Sequence, residues 1–365
     1  MRKIIIISLL LLILPLFAFA QSDTEKDVVF KAKIIEILAE KESVLSDGRI
    51  DLQQHLKMLG LEGDFKNKEF EFNGIGEINA LNKQIYETGD KVFVVENKGE
   101  NINNYYIVDY ARAGTLWFLA ALFVAVLLFV GRIKGLRSLL SLFLSFVIII
   151  KFIIPQIISG ANPLLITILG SIAILLVIIY FTEGFKPKAH LAFASIFVSL
   201  LLTIIISQLF VSLAKLTGAA SEDVLFLFNI DGLSINLQGL LLAGIIIGAL
   251  GVLDDVVIAQ VSTVKEIAAI DRGLNSKEIF SKAYKVGISH IASMTNTLFL
   301  AYAGVSLPLL ILFVSGESAF ASWTQAINTE LIATEIIRAL AGSIGLILSV
   351  PISTYIASRW FCRRG

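Results

Sequence analysis

Seven largely apolar stretches of membrane-spanning length constrain this sequence more than any other feature. A helix of roughly 18 or more apolar residues can cross a hydrocarbon core about 30 Å thick. The charged fraction is 16% and the mean hydropathy is +0.82, whereas soluble globular proteins carry about 25% charged residues. These values exclude an ordinary soluble enzyme, and the long runs exclude an outer-membrane barrel, whose strands alternate apolar and polar residues. The predicted spans cover residues 114–131, 136–154, 163–181, 190–214, 237–264, 287–314 and 331–357.

The N-terminus has the pattern of a secretory signal peptide. Arg2 and Lys3 precede an apolar run over residues 4–17, which ends at Ala18-Phe19-Ala20. A basic start, a short apolar core and an A-x-A site are typical of a cleaved signal. The sequence therefore predicts a signal peptide over residues 1–20, with an uncleaved signal anchor as the alternative. Either form exports the segment that follows.

Residues 21–113 form the one sizeable polar region and are predicted to be a small exported β-rich domain, with a barrel as one option. β-Branched residues over 28–37 and over 91–96 predict strands, and residues 91–110 predict a hairpin. Residues 51–61 look helical. No catalytic constellation is visible here, so a binding or docking module is expected.

The distribution of Lys and Arg predicts the orientation in the membrane. Thirteen of these residues fall in segments predicted to be cytosolic, whereas the predicted outside loops 155–162, 215–236 and 315–330 carry Lys215 alone. This is a positive-inside pattern. It predicts a multi-pass membrane protein with the N-terminal domain outside and residues 114–365 forming a seven-helix transmembrane domain whose C-terminus is cytosolic. The fold class is thus an all-α polytopic membrane protein preceded by the exported β-rich domain.

Several chemistries are excluded by composition. The only cysteine is Cys362, so no internal disulfide can form, and it is expected to be a reduced cytosolic thiol. The three histidines lie far apart, which with one cysteine predicts no metal site. Lys plus Arg and Asp plus Glu are both 30, so no basic excess points to nucleic acid. No nucleotide loop or catalytic motif is present, and we expect neither a cofactor nor an enzymatic activity.

Asp254 and Asp255 lie in the middle of the membrane if the fifth span continues as a helix to Lys265. Asp255 is ten residues before Lys265, which at about 1.5 Å per residue places it about 15 Å inside a core about 30 Å thick. Two adjacent carboxyls are costly to ionise together there, so the pair is suited to load and release protons. Alternatively, the span ends at Leu253 and the aspartates open an interfacial amphipathic helix. The pattern alone leaves both readings open.

Glycines and polar residues share one face of this fifth span. The positions −11, −7, −4, +7 and +11 relative to Asp255 all fall on its side of a helix. Gly-x-x-x-Gly spacing permits a neighbouring helix to approach closely. The stripe therefore predicts a buried helix contact in the outer half and a hydrophilic path in the inner half. Its members are Gly244, Gly248, Gly251, Asp255, Ser262 and Glu266.

The sixth span carries a matching polar face. Asn296 lies eleven residues beyond Lys285, at nearly the depth of Asp255. The short link 265–285 predicts an antiparallel hairpin, in which Asp255 and Asn296 can meet at mid-membrane. The expected proton or ion pathway consists of Asp254, Asp255, Ser262, Thr295 and Asn296.

Other intramembrane charges are possible counter-charges. Lys151 is expected near the outer interface, where its stem can snorkel, or else to act as a counter-ion. Glu335 lies one turn before Arg338, so the two can form an internal ion pair. Pro308 can break the sixth helix, as in transporter sites, although plain spans also tolerate proline.

Several short motifs stand in order along the chain, namely Asp109-Tyr-Ala-Arg112, Gly131-Arg-Ile-Lys-Gly135, Gly248-Ala-Leu-Gly-Val-Leu-Asp-Asp-Val256, Gly287-Ile-Ser-His-Ile and Thr295-Asn-Thr-Leu-Phe-Leu-Ala-Tyr-Ala-Gly304. In these motifs and their spacing the chain after its signal sequence resembles the YibE/F family of bacterial membrane proteins. The family's usual Gly-Arg-Asp at the start of the sixth span appears here as Gly287-Ile288-Ser289-His290. The resemblance implies the polytopic architecture and a location in the bacterial cytoplasmic (inner) membrane, and no particular activity.

Residues 250–300 are also similar, more loosely, to the fourth span of resistance–nodulation–division permeases. Leu253-Asp254-Asp255 and Val264-Lys-Glu266, followed by Gly273-Leu-Asn-Ser-Lys-Glu278, carry this similarity. It implies a relay role for the two aspartates and a continuous helix through them. This chain is far shorter and has neither the two large external domains nor a duplicated half.

Two functions from different classes are expected. The first is a membrane permease, coupled to protons, for an unknown small solute or ion. The second is a non-transporting scaffold or sensor whose exported domain binds a partner. The lipid bilayer is the expected surrounding, with a homo- or hetero-oligomer as an option. An intramembrane protease is disfavoured, because adjacent residues on one helix point about 100° apart.

Overall fold

The computed structural model describes residues 28–44, 50–75, 85–98, 103–220, 222–228, 235–315 and 322–362. The chain divides into two compact units, residues 1–123 and 124–365. The predicted signal peptide lies outside the described residues.

The first unit contains a five-stranded antiparallel sheet in the order β3-β2-β1-β4-β5. The long first strand is central and pairs with both its sequence neighbour and the fourth strand. A short 3₁₀ turn, Gly63–Phe65, precedes the third strand. The strands are β1 (Val28–Val44), β2 (Ile50–Gly60), β3 (Glu69–Asn73), β4 (Lys91–Lys98) and β5 (Asn103–Tyr110).

Alternating apolar residues on one face of the sheet form its core. Successive side chains of a strand point to opposite faces, so every second residue is buried. The two edge strands also approach each other, since the rings of Phe70 in β3 and Tyr105 in β5 have centroids 4.6 Å apart. The sheet is thereby curled into a five-stranded, partly open barrel. The buried residues are Phe30, Ala32, Ile34, Leu56, Met58, Phe70, Phe72, Tyr86, Val92 and Val94.

The predicted strands over 28–37 and 91–96 and the hairpin over 91–110 are confirmed. The helix expected over 51–61 is wrong, because these residues form β2. Leu, Gln, Lys and Met favour helices intrinsically. Here Leu56 and Met58 are buried on alternate positions between β1 and β3, and this pairing overrides the local preference.

Gln54 in β2 fixes the segment that leads into β4. Its amide nitrogen donates to the Tyr86 carbonyl at 3.0 Å, and its amide oxygen accepts from the Tyr86 N–H at 2.8 Å. The Tyr110 hydroxyl also donates to the Ile85 carbonyl at 2.6 Å. Burial raises the pKa of Tyr86 to about 12, so its phenol is neutral at physiological pH.

The second unit is helical. A π-helical turn, Ile149–Ile153, joins the first two helices into one longer rod. The helices are α1 (Ala113–Ile148), α2 (Ile154–Ile158), α3 (Pro163–Glu183), α4 (Pro187–Leu213), α5 (Glu222–Phe228), α6 (Leu237–Ile270), α7 (Ser276–Val305), α8 (Leu307–Val314), α9 (Trp323–Ile327) and α10 (Glu330–Cys362).

Asparagine caps set the start of three of these helices. Asn162 accepts the Leu164 N–H before α3, and Asn236 accepts the Gly239 N–H before α6. Asn275 and Glu278 form a capping box at the start of α7. Each cap satisfies a backbone donor that the helix itself cannot, so these starts are encoded locally.

Five helices of the described residues are long and apolar enough to cross a membrane. The first contains both predicted spans 114–131 and 136–154, separated by non-helical backbone at Arg132. The predicted sixth span, 287–314, is not among the five, because α7 is relatively polar and ends at Val305, shortly before Pro308. The expected count of seven therefore stays a prediction. The five are Ala113–Ile158, Pro163–Glu183, Pro187–Leu213, Leu237–Ile270 and Glu330–Cys362.

Small residues pack α4 against α10. Ser195, Ser199, Thr203 and Ser207 recur every fourth position of α4 and are fully buried. Gly345 of α10 faces Thr203 so closely that an added Cβ would overlap the threonine hydroxyl. Small side chains let helices approach where lipid provides no hydrophobic drive for association.

Replacing Gly345 by alanine should destabilise the helical unit. The new methyl group has no room beside Thr203, and overpacking costs about 1–3 kcal/mol. G345A should lower the thermal unfolding temperature of the full chain in detergent. The matched control is G244A in α6, where a Cβ meets nothing within 4 Å. Equal stability of the two variants would contradict this packing.

Replacing Gln54 by alanine should release the backbone at Tyr86. The variant removes the acceptor of the Tyr86 N–H, and an unmade buried hydrogen bond costs about 1–3 kcal/mol. The Tyr86 amide should exchange with deuterium roughly tenfold faster in Q54A. The Val94 amide in β4 is the internal control and should keep its rate. Unchanged exchange at Tyr86 would contradict the role of Gln54.

Candidate functional site

The two aspartates lie in the middle of an unbroken helix. α6 runs from Leu237 to Ile270, and Asp254 and Asp255 are its eighteenth and nineteenth residues of 34. The helix therefore continues through both aspartates, with no break at Leu253. A helix of this length extends about 50 Å at about 1.5 Å per residue, which exceeds the hydrocarbon thickness.

The two carboxyls point to different sides of α6. Asp254 is buried, with 8% of its surface exposed, whereas Asp255 is exposed. The predicted glycine stripe lies on the same exposed face as Asp255. Apart from the nearby backbone of α6 itself, no described atom comes within 4 Å of a Cβ built on Gly244 or Gly251, and only the Tyr302 hydroxyl does so at Gly248. The close helix contact expected for this stripe is thus not made within the described part of the chain.

A cavity of about 590 Å³ lies beside the aspartates, between α1, α3 and α6. Both carboxyls line it, together with hydroxyls from two other helices and a largely apolar wall. Ser262, Thr295 and Asn296 of the predicted pathway are not part of its lining. The lining residues are Ser138, Ser141, Leu142, Ser145, Phe146, Ile149, Ile174, Ile178, Thr182, Glu183, Ile247, Leu250, Gly251, Asp254, Asp255, Ile258 and Ala259.

The cavity is acidic. Glu183 also lines it, but the Lys188 ammonium lies 2.7 Å from the Glu183 carboxylate and neutralises it. No Lys, Arg or His belongs to the described lining, and no described cation forms an ion pair with Asp254 or Asp255. The uncompensated negative charge therefore belongs to the aspartate pair.

Sequence reasoning missed the serines that form the opposite wall. Ser138, Ser141 and Ser145 recur at helical spacing on α1 and face α6 across the cavity. The Ser145 hydroxyl donates to the Ser141 carbonyl at 2.8 Å, and the Ser141 hydroxyl donates to the Ser138 carbonyl at 2.8 Å. Their i, i+3, i+7 spacing indicates a polar face on α1. The local sequence does not show which other helix this face meets.

In the hairpin of α6 and α7, the helix bounds put Asp255 nearer the level of His290 than that of Asn296. The His290 ring lies within electrostatic range of the Asp255 carboxyl. Asp255 is fifteen residues before the end of α6, His290 is fourteen residues after the start of α7 at Ser276, and Asn296 is twenty. Because the hairpin turns at the helix ends and not at the flanking lysines, the expected pairing with Asn296 is displaced by more than a turn. No hydrogen bond joins Asp255 to Asn296 among the described residues.

The remaining predicted pathway residues sit apart from the cavity. The Ser262 hydroxyl donates to the Ile258 carbonyl of its own helix at 2.6 Å. The Thr295 hydroxyl is buried without a partner in the described part of the chain. Asn296 is exposed on α7. These three residues therefore do not form one path with the aspartates.

Gln260 was also missed by sequence reasoning. It joins three helices on the C-terminal side of the aspartates in α6. Its buried amide donates to the Ala283 carbonyl of α7 at 3.0 Å and to the Thr354 hydroxyl of α10 at 2.7 Å. Gly287 makes room for this contact, because a Cβ there would lie 2.5 Å from Val350 and 2.9 Å from the Gln260 amide oxygen. The two hydrogen bonds of Gln260 hold α6 against α7 and α10.

The predicted counter-charges do not reach the aspartates. Arg338 and Glu335 form an ion pair at 3.0 Å in α10. Glu335 lines a separate, largely apolar cavity of about 330 Å³ with Tyr302 and Trp323. Lys151 is exposed and has no ion pair among the described residues.

The described residues contain no cluster of three or more His, Cys, Asp or Glu side chains that could hold a metal ion. Cys362 is free and half-buried near the Leu274 carbonyl.

Membrane-length helices that enclose an acidic cavity, together with a small antiparallel sheet, define an α-helical membrane protein with an added β domain. Within that class the chain belongs to the YibE/F family, since the family described as YibE/F-like protein matches residues 119–363. Neither a curated protein nor a solved structure matches the chain.

The hydration of the cavity can be tested with a matched pair of cysteines in a Cys362→Ser background. Ser145 lines the cavity, whereas Ser199 is fully buried between helices. In membranes, S145C should react with a water-soluble cationic thiosulfonate at least about tenfold faster than S199C, because the cavity admits water and attracts cations. The modified fraction is measured by mass spectrometry. Equal rates would contradict a water-accessible cavity.

Proposed function

We propose that the chain is a membrane permease that couples transport to protons, with Asp254 and Asp255 as the proton carriers. One observation carries this proposal. Two adjacent carboxyls, which have no ion-pair partner among the described residues, lie at the middle of a membrane-length helix and line a cavity between three helices. Intramembrane carboxyls are rare because they are costly, and they mark ion and proton pathways.

The environment of Asp254 suits a proton carrier. Its carboxyl is buried, faces the cavity and has no cation beside it among the described residues. Two adjacent carboxylates repel each other in apolar surroundings, so the pair favours holding one proton between them. A proton that arrives through the cavity can therefore be held at this depth.

The pair also connects two sides of α6. Both carboxyls line the cavity, and the His290 side chain of α7 is within electrostatic range of Asp255. Adjacent helical positions point about 100° apart. A proton that enters from the cavity can therefore move to Asp254 and then to Asp255, on a different side of the helix.

A non-transporting scaffold or sensor is the second candidate. The five-stranded, partly open barrel of the first unit favours it, since this architecture commonly binds ligands on its exposed face. A scaffold or sensor of this kind would keep its function when Asp254 and Asp255 are replaced.

Carbodiimide labelling tests the permease proposal. A hydrophobic carbodiimide reacts with protonated carboxyls in apolar surroundings. In membranes titrated from about pH 5 to about pH 9, Asp254 or Asp255 should be labelled near neutrality and should lose the label at the alkaline end. Peptide mass spectrometry locates the label, and D254N/D255N should abolish it while the protein still inserts.

The matched control is E266Q on the same helix, which removes an exposed carboxyl and should leave the labelling unchanged. Labelling confined to about pH 5, with ready attack by a water-soluble carbodiimide, would place the pair in an aqueous setting and overturn the relay.

A further inference from the structure

We infer that the acidic cavity binds an organic ammonium ion, a protonated amine with an apolar body, in exchange for the proton held at Asp254. This inference rests on the permease function proposed above and names its class of substrate. Charge, hydrogen-bonding capacity and wall composition each point to this chemistry.

The charge of the cavity calls for a cation. Glu183 already has Lys188 as its partner, so the net charge comes from Asp254 and Asp255. Asp254 is more than nine-tenths buried, faces the cavity and has no ion pair with any described cation. A buried carboxylate without a partner is unfavourable, and a bound cation would supply that partner.

Three of the four hydroxyls that line the cavity already donate their protons and are left to accept hydrogen bonds from a ligand. The Ser141, Ser145 and Thr182 hydroxyls each donate their proton to a backbone carbonyl of their own helix, at 2.8, 2.8 and 2.6 Å. Their oxygen lone pairs remain free to accept. With the carboxylates, the site thus presents several acceptors, which favours an ammonium ion that has N–H donors.

The size and wall of the cavity favour an organic ion over a bare inorganic one. A volume of about 590 Å³ lies within the range of about 300–1,000 Å³ typical of small-molecule sites. An inorganic divalent cation prefers about six to eight close oxygen ligands, and no group of three acidic or histidine side chains is present among the described residues. The apolar body of an amine can instead pack on Leu142, Phe146, Ile149, Ile174, Ile178 and Ile247.

Binding and protonation compete for the same carboxyl. As the ammonium ion pairs with Asp254, the carboxyl releases one proton, so one positive charge enters the site and one leaves it. The protonated site and the ammonium-bound site therefore carry equal charge. The site can alternate between these two states with a similar electrostatic free energy.

The test uses the purified full chain in detergent with 2-phenylethylammonium chloride as the probe. Calorimetry should show binding with release of up to one proton, read from buffers of different ionisation enthalpy. D254N should weaken binding at least about tenfold, because the ion pair is lost. E266Q should bind as the wild type does. The neutral isostere 2-phenylethanol should bind at least about tenfold more weakly than the ammonium probe.

A second measurement on the wild type is independent of whether D254N folds. The probe should slow carbodiimide labelling of Asp254, whereas an equal concentration of potassium chloride should not. Equal binding of the alcohol and the ammonium ion, or equal protection by potassium, would overturn the inference.

The two proposals fail separately. Labelling near neutral pH that the probe does not slow would reject an amine substrate and leave the proton relay standing. If no labelling occurs near neutral pH, both the relay and the exchange fail.

Discussion

The hydrocarbon core offers no hydrogen-bond partners, and most polar positions of the helical unit follow from that constraint. Several buried serines and threonines of α1, α3, α4 and α10 turn their hydroxyls back to carbonyls of their own helix. Others have buried hydroxyls without a partner among the described residues, namely Thr167, Ser171, Ser207, Thr334 and Ser343. Gln260 is satisfied across three helices instead. Asp254 differs from these hydroxyls because it can carry a charge, and it is buried, faces a cavity and has no cationic partner among the described residues. An ionisable side chain in such a position is an indication of function.

The packing around α6 makes this placement of Asp254 possible. Small residues bring α4 and α10 together, with Gly345 against Thr203, and Gln260 holds α6 to α7 and α10. α1, by contrast, stands off and leaves the cavity between its serine face and the aspartates. One side of α6 is thus rigidly supported while the other borders open space, as expected of a helix that presents a site.

Much of the fold could be predicted from local patterns, because the determining interactions are local. Apolar length defined the long helices, asparagine caps started three of them, and alternation defined β1 and β4. The helix predicted over residues 51–61 was wrong, because these residues favour a helix when considered in isolation. They are held extended as β2 by pairing with β1 and β3. The expected Asp255–Asn296 pair was displaced because the positions of flanking lysines did not mark where the helices end.

The sequence by itself determined that the chain contains membrane-length helices, since run length needs no partner, but it left open whether the two adjacent carboxyls lie within one of them or follow its end. Helical periodicity also placed Asp255, the glycines and Ser262 on one face. Only the tertiary structure decided which face is covered, and it placed Asp254 rather than Asp255 on the buried side. That choice depends on contacts between residues far apart in the chain, such as Gln260 and Thr354, which are 94 positions apart. Periodicity within one helix contains no information about such contacts.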